Sequence, residues 1–147
     1  MIITVVIPCF KTSYKTTNSI IAKIPSNVTN IIVVDDKCAF KTGKQLSKIC
    51  KDKRLKIIYH TKNKGVGGAV ISGYRLAIKK KSDIIIKLDG DGQMDPLEIK
   101  KLLKPILKGE ADYSKGNRLS DLKYLRKMPT TRLIGNFIFS VCAKFTT

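Results

Sequence analysis

The stretch Ile84-Ile85-Ile86-Lys87-Leu88-Asp89-Gly90-Asp91-Gly92-Gln93-Met94-Asp95-Pro96 passes from an apolar run to two carboxylates one residue apart, each followed by glycine. The run reads as a buried strand. The carboxyl end of such a strand is where an open α/β sheet places its ligands. Two carboxylates this close repel each other unless a cation lies between them. Mg²⁺ and Mn²⁺ take oxygen ligands, and one or two carboxylates plus phosphate oxygens is their usual arrangement. Asp89 and Asp91 therefore read as a metal–diphosphate clamp. Three other readings compete. An EF-hand loop needs Gly at its sixth position and Glu at its twelfth, where this chain has Met94 and Lys100. An aspartyl-nucleophile phosphatase would use Asp89 to attack phosphorus and Asp91 as the acid. An acidic turn capping the helix after Pro96 accounts for Asp95, but not for Asp89 and Asp91 on either side of a glycine.

Working outward, the chain alternates strand-like and helix-like segments. Ile2 to Pro8 is a β-branched run stopped by proline. Cys9 to Thr12 follows as a loop, and Thr17 to Ile24 as a short helix before Pro25. Ile31 to Val34 is a strand ending in Asp35-Asp36. A helix over Thr42 to Lys51 precedes a strand over Leu55 to Tyr59. Asn63 to Ala69 is a glycine-rich loop running into a helix that reaches Ile78. After the strand at Ile84 to Leu88, an amphipathic helix spans Pro96 to Leu107. Ala111 to Lys115 reads as a fifth strand ending at Gly116-Asn117-Arg118. A polar segment and an apolar helical stretch, Leu133 to Phe145, complete the sequence. Such alternation predicts one α/β domain over 1–147, with a mostly parallel sheet and helices on both faces. Parallel strands put their carboxyl ends on one edge, so the loops around Phe10, Asp36, Gly65 and Asp89 converge on one cleft.

Composition bounds the partners. The 147 residues carry 29 Lys+Arg against 11 Asp+Glu, a formal charge of +18. That excess favours anionic partners: nucleic acid, anionic lipid or phosphorylated substrates. The lysines are dispersed, which also fits solvated faces, and the longest run, Lys79-Lys80-Lys81, closes a helix where cations suit the dipole. A nucleic-acid module would cluster its basic residues and interleave aromatics, so no specific nucleic-acid partner is expected. The four cysteines are far apart and the chain has one histidine. Zinc is therefore not expected, and the thiols read as reduced and mostly buried. Met1 leads straight into a strand-like run and no apolar run is long enough to span a bilayer, which predicts a cytoplasmic protein.

Taken singly, the loop signals stay ambiguous. Gly65-Val66-Gly67-Gly68 suggests backbone N–H groups near a phosphate, but it also suits a tight strand–helix turn, and it is neither a dinucleotide fingerprint nor a Walker loop. Asp35-Asp36 suits a cap as well as a base or ribose contact. Phe10 could stack on a base or pack. Arg118 could neutralise a diphosphate or sit on the surface. His60 reads as a packed histidine.

In combination they are more specific. Pro8-Cys9-Phe10-Lys11, Val33-Val34-Asp35-Asp36, Asn63 to Ala69 with Gly73, Asp89 to Pro96, Ala111-Asp112-Tyr113 with Gly116-Asn117-Arg118, and the later Met128-Pro129, Arg132 and Ile134-Gly135-Asn136 resemble family 2 glycosyltransferases of GT-A fold, over nearly the whole chain. The branch most similar contains dolichyl- and polyprenyl-phosphate sugar synthases and bacterial polysaccharide enzymes. The resemblance implies an inverting transfer from a UDP- or GDP-sugar to a polyprenyl-phosphate or glycan acceptor, with Mg²⁺ or Mn²⁺. It places Pro8, Phe10 and Asp36 around the nucleotide base with Asp35 near them. Asn63, Gly65 and Gly68 would border the nucleoside and phosphates. Asp89 would face the ribose or the metal shell, Asp91 would bind the metal, Gln93 would lie near sugar or acceptor, and Arg118 near the donor. Two departures stand out. Lys37-Cys38-Ala39 replaces the usual Gly-Ser after the Asp pair. Family members also continue past this point with the segment that supplies the catalytic base, so the base is expected there and the chain reads as truncated, with the donor-binding part as its content. An apolar face left by the early stop is one a second copy could cover as a homodimer. The positive charge suits peripheral contact with an anionic membrane.

Overall fold

The fold is given by a computed structural model, which describes residues 1–116. Four parallel strands, β1 (Ile3–Cys9), β2 (Asn30–Asp35), β3 (Leu55–Tyr59) and β4 (Ile84–Lys87), form one sheet in the order β3-β2-β1-β4. They alternate with α1 (Tyr14–Lys23), α2 (Thr42–Ile49), α3 (Gly65–Lys79) and, after a 3₁₀ turn at Pro96–Glu98, α4 (Ile99–Leu107). The chain forms two compact units, Met1–Lys104 and Pro105–Thr147. The first holds these four strands.

Side-chain alternation along β1 builds two cores. Ile3, Val5, Ile7 and Cys9 face one side, with Ile20, Ile21, Leu46, Ile99 and Leu103 from α1, α2 and α4. Val6 faces the other side, with Ile32, Val34, Ala69 and Ala77. Helices thus cover both faces, as an all-parallel sheet requires. On the second face α3 lies very close to the sheet: a Cβ added at Gly73 would sit 2.2 Å from Val6 Cγ1.

Several boundaries differ from the sequence reading. β1 continues through Pro8 to Cys9. Backbone groups alternate sides along a strand, and the Cys9 carbonyl accepts from Asp36 N on the β2 side. Pro8 therefore turns its missing N–H toward β4, where the ladder has already ended at Leu88 N donating to Val6 O. α1 begins three residues before the predicted Thr17, because Ser13 caps it by accepting from Lys15 N at 3.2 Å. The glycine-rich stretch expected as a loop is the first turn of α3. Its propensity cost is overridden by the burial of Ala69, Gly73 and Ala77 one turn apart. Ala111–Lys115, expected as a fifth strand, forms none among the described residues. The helix expected over 133–145 lies outside them.

Candidate functional site at the strand carboxyl ends

The strand order reverses between β1 and β4, so a topological switch point opens between their carboxyl ends. The register aligns Cys9 with Asp35 and Asp35 with Tyr59. β4 ends lower, with Lys87 opposite Val6. Leu88-Asp89-Gly90 makes up the difference: a Cβ at Gly90 would stand 3.2 Å from Pro8 O and 3.1 Å from Cys9 Sγ. Gly90 is thus the residue that lets the acidic loop lie against the end of β1. The next turn needs glycine too, since Gly92 has φ +83°; its added Cβ would be 3.2 Å from Thr16 on α1.

The acidic loop holds its two carboxylates differently. Asp89 is half-buried and its Oδ1 meets Lys87 Nζ at 2.5 Å. Asp91 is exposed, and its Oδ1 accepts from Gln93 N at 3.0 Å. The second Asp91 oxygen takes no partner among the described residues. Among the described residues no group of three or more His, Cys, Asp or Glu converges as a metal cage. The donor set nevertheless fits a hard cation of the Mg²⁺ type, which takes one or two carboxylates and completes its shell with phosphate oxygens and water. Asp91, with Asp89 beside it, would hold such an ion only together with a phosphate ligand.

The Asp pair at the end of β2 also divides. Asp35 is buried and spends both oxygens on main chain: Cys38 N donates to Oδ1 and Gly43 N to Oδ2, each at 2.7 Å. Gly43 is in the first turn of α2, whose own cap residue, Lys41, offers no side-chain acceptor. Asp35 is thus the cap of α2, supplied from the sheet. Gly43 permits this, because its added Cβ would lie 2.8 Å from Asp35 Oδ2. Asp36 is held in place by its own N–H donating to Cys9 O at 2.9 Å. Its Oδ1 receives His60 Nδ1 at 2.6 Å and Lys64 N at 2.8 Å, while Oδ2 is buried without a partner. His60, read from sequence as packed, is packed and also bonded at both ring nitrogens. The clue was a single histidine just past a strand end.

The remaining candidates sit around these groups. Pro8 is the penultimate residue of β1 and Phe10 follows the strand, 40% exposed, with Lys11 Nζ 5.7 Å from its ring centre. Asn63 Oδ1 accepts from Gly65 N at 2.7 Å, fixing the entry to α3, where Gly65 has φ +73°. Gly68 is needed for close packing, since its added Cβ would be 2.6 Å from Lys64 Cβ. The α3 N-terminus, whose cap residue Lys64 makes no side-chain cap bond and whose first turn holds no acidic residue, suits an anion. Gln93 closes the Asp91 turn. Arg118 and Asn117 lie outside the described residues. Cys9, Cys38 and Cys50 are free thiols, and burial pushes the Cys9 thiol up from its ordinary value. A surface depression of about 340 Å³ beside α2 and β3 is lined by Leu46, Cys50, Leu55 and Ile57. Its one carboxylate, Asp52, is already paired with Arg54 at 2.7 Å, so it offers less chemistry than the strand ends.

Comparison with known proteins fits this geometry. A family model described as Glycosyl transferase family 2 matches residues 3–144. The UDP-N-acetylglucosamine–dolichyl-phosphate N-acetylglucosaminyltransferase of Methanococcus voltae is 33% identical over 123 residues, covering 75% of this chain and 49% of that protein. The dolichol-phosphate mannosyltransferase of Pyrococcus furiosus is 31% identical over 67% of this chain and 28% of its own length. An uncharacterized protein of Methanocaldococcus jannaschii is 40% identical over 74% of this chain and 43% of its own. The chain spans half or less of each. The crystal structure of S. aureus TarS 1-349 overlays with a TM-score of 0.55 at 20% identity, covering 76% of this chain and 34% of that one, a likeness of fold.

Proposed function

The chain belongs to glycosyl transferase family 2, and on that premise we propose that it binds a nucleoside-diphosphate sugar at the carboxyl ends of β1, β2 and β4, as the donor-binding part of an inverting, metal-dependent transferase. The observation that carries the reading is the seating of Asp89-Gly90-Asp91 against Pro8-Cys9 at the switch point. In this reading Pro8, Phe10 and Asp36 surround the base. Asn63, Gly65 and Gly68, at the positive end of α3, border the nucleoside and phosphates. Asp91 holds a divalent ion with the diphosphate, and Asp89 lies toward the ribose or the metal shell. Gln93 lies toward the sugar or acceptor, and Arg118, outside the described residues, would serve the donor. Asp35 supports the site by capping α2 and does not touch the ligand.

When bound, the ion would neutralise charge developing on the leaving nucleoside diphosphate. Asp89 would keep its Lys87 partner. The lysine thereby offsets one of two neighbouring carboxylate charges. The proposed acceptor is a polyprenyl phosphate. The matched relatives named for a transfer act, by name, on dolichyl phosphate, dolichol phosphate or undecaprenyl phosphate. A phosphate monoester has its second pKa near ~6, so at neutral pH it attacks without a base having to remove a proton. A glycan hydroxyl, the other acceptor class, would need one. The formal charge of +18 would draw the chain to the anionic surface where such a lipid lies. No helix among the described residues is long and apolar enough to cross a membrane.

The test is calorimetric titration with UDP and with GDP, each with and without Mn²⁺, on the wild type and on Asp91→Ala. One nucleotide should bind with the metal, and the variant should lose that metal dependence. A folded wild type that binds neither nucleotide overturns the reading.

A further inference from the structure

We infer that His60, braced by Ser72, is a positioning residue that sets the Asp36 carboxylate for its ligand. The inference rests on the reading above, in which Asp36 faces the nucleotide base. Two oxygens of one carboxylate are treated unequally. Oδ1 takes two donors, His60 Nδ1 at 2.6 Å and Lys64 N at 2.8 Å, while Oδ2 takes none although buried. Buried polar atoms in folded proteins are nearly always bonded, and an orphan calls for a reason. Here the surrounding elements place their donors on the same side, and the carboxylate is left with one oxygen to give to an incoming N–H or O–H.

A terminal carboxylate torsion is soft on its own. The clamp removes that freedom through three elements. His60 follows β3 and ties its N–H to Asp35 O at 2.9 Å. Its ring, 5% exposed, then bridges Asp36 and Ser72 on α3, with Nε2 2.9 Å from Ser72 Oγ. The Ser72 hydroxyl donates to Gly68 O at 3.0 Å, in the first turn of α3, which leaves its lone pairs for an Nε2–H of the ring. A carboxylate only accepts, so Nδ1 must carry the proton shared with Asp36. Ser72 then keeps the ring from turning Nδ1 away. Fixing a ligand-facing group before binding raises affinity by removing an ordering cost from the binding step.

Two substitutions separate this role from plain packing. Asn places its amide nitrogen where His60 has Nδ1, and Gln places its own where His60 has Nε2. His60→Asn should keep most of the affinity for the preferred nucleotide. His60→Gln, which holds Ser72 and abandons Asp36, should lose about 10- to 100-fold, the range for a hydrogen bond to a charged group. A packing role would penalise the smaller Asn at least as much. A second readout needs no variant. The chain has one histidine, so its imidazole nitrogen and ring-proton resonances are unambiguous. In the free protein Nδ1 should be protonated with its proton far downfield, and that resonance should move on adding UDP or GDP with Mg²⁺. An unprotonated Nδ1 in the free protein overturns the inference, as does an equal or inverted order of the two variants. If the wild type binds neither nucleotide, the donor-site reading and this inference fall together. If it binds and the order is wrong, the inference falls alone.

Discussion

Gly73 is the place where the fold tolerates least. α3 crosses the sheet so closely that a Cβ built there would meet Val6 Cγ1 at 2.2 Å, Val6 Cγ2 at 3.2 Å and Val34 Cγ2 at 3.3 Å. Ordinary carbon contacts begin near ~3.5 Å, so the helix or Val6 would have to move by more than ~1 Å. Val6 is fully buried in an inner strand and β-branched, hence stiff at χ1. Neither the strand nor its rotamer can yield cheaply. Overpacking of this kind costs about 1–3 kcal/mol, and a clash this deep belongs at the top of that range. Alanine's better helix propensity returns about 1 kcal/mol. Gly73→Ala should therefore lose about 2 kcal/mol and melt roughly 4–8 °C lower. The assay is thermal and urea unfolding of Gly73→Ala, Val6→Ala and the double variant. Removing Val6's two methyls makes room for the new one, so the double variant should be more stable than the sum of the singles by at least ~1 kcal/mol. A Gly73→Ala protein as stable as wild type, or strictly additive effects, would refute the close approach of α3 to β1.

Asp35→Ala should cost about 2–4 kcal/mol in urea denaturation, because it strands the buried N–H groups of Cys38 and Gly43; a neutral result would mean α2 has another cap. The Arg54 guanidinium beside Asp52 holds its carboxyl below the ordinary value of 3.8. The folded state therefore prefers the ionised form, and the contribution is present above that ordinary value and lost as pH falls through the lower folded one. The stability difference between wild type and Asp52→Asn should be flat at higher pH and shrink only in acid below about pH 4, with the Asp52 carboxyl resonance titrating late; a difference that persists in strong acid would contradict the assignment.

Much of this was legible in sequence, for identifiable reasons. Ile31–Val34 and Ile84–Ile86 are continuous β-branched or branched apolar runs, which is how strands covered on both faces look. Alternation with helical segments then implies parallel pairing. The acidic pair after β4 stood out because two carboxylates around a glycine have few structural uses. What stayed hidden depends on contacts distant in sequence. Asp35 and Asp36 are identical neighbours, yet at a strand end successive side chains leave on opposite sides, so one caps α2 and the other meets His60. No local pattern assigns them. The His60–Ser72 contact joins residues across a turn and a helix, and Lys87–Asp89 depends on β4 ending where it does. The glycine-rich stretch reads as a loop in sequence, whereas the burial of Ala69, Gly73 and Ala77 along α3 carries the helix back through it.

Amide NMR of the 147-residue chain, titrated with nucleotide and trace Mn²⁺, would locate a donor site at the carboxyl edge of the sheet. Paramagnetic broadening should centre on Asp89 to Gln93, and diamagnetic shifts with Mg²⁺ should mark Phe10, Asp36, His60 and Gly65 to Gly68. Broadening centred instead on Asp52 or Glu98, with the acidic loop untouched, would contradict it.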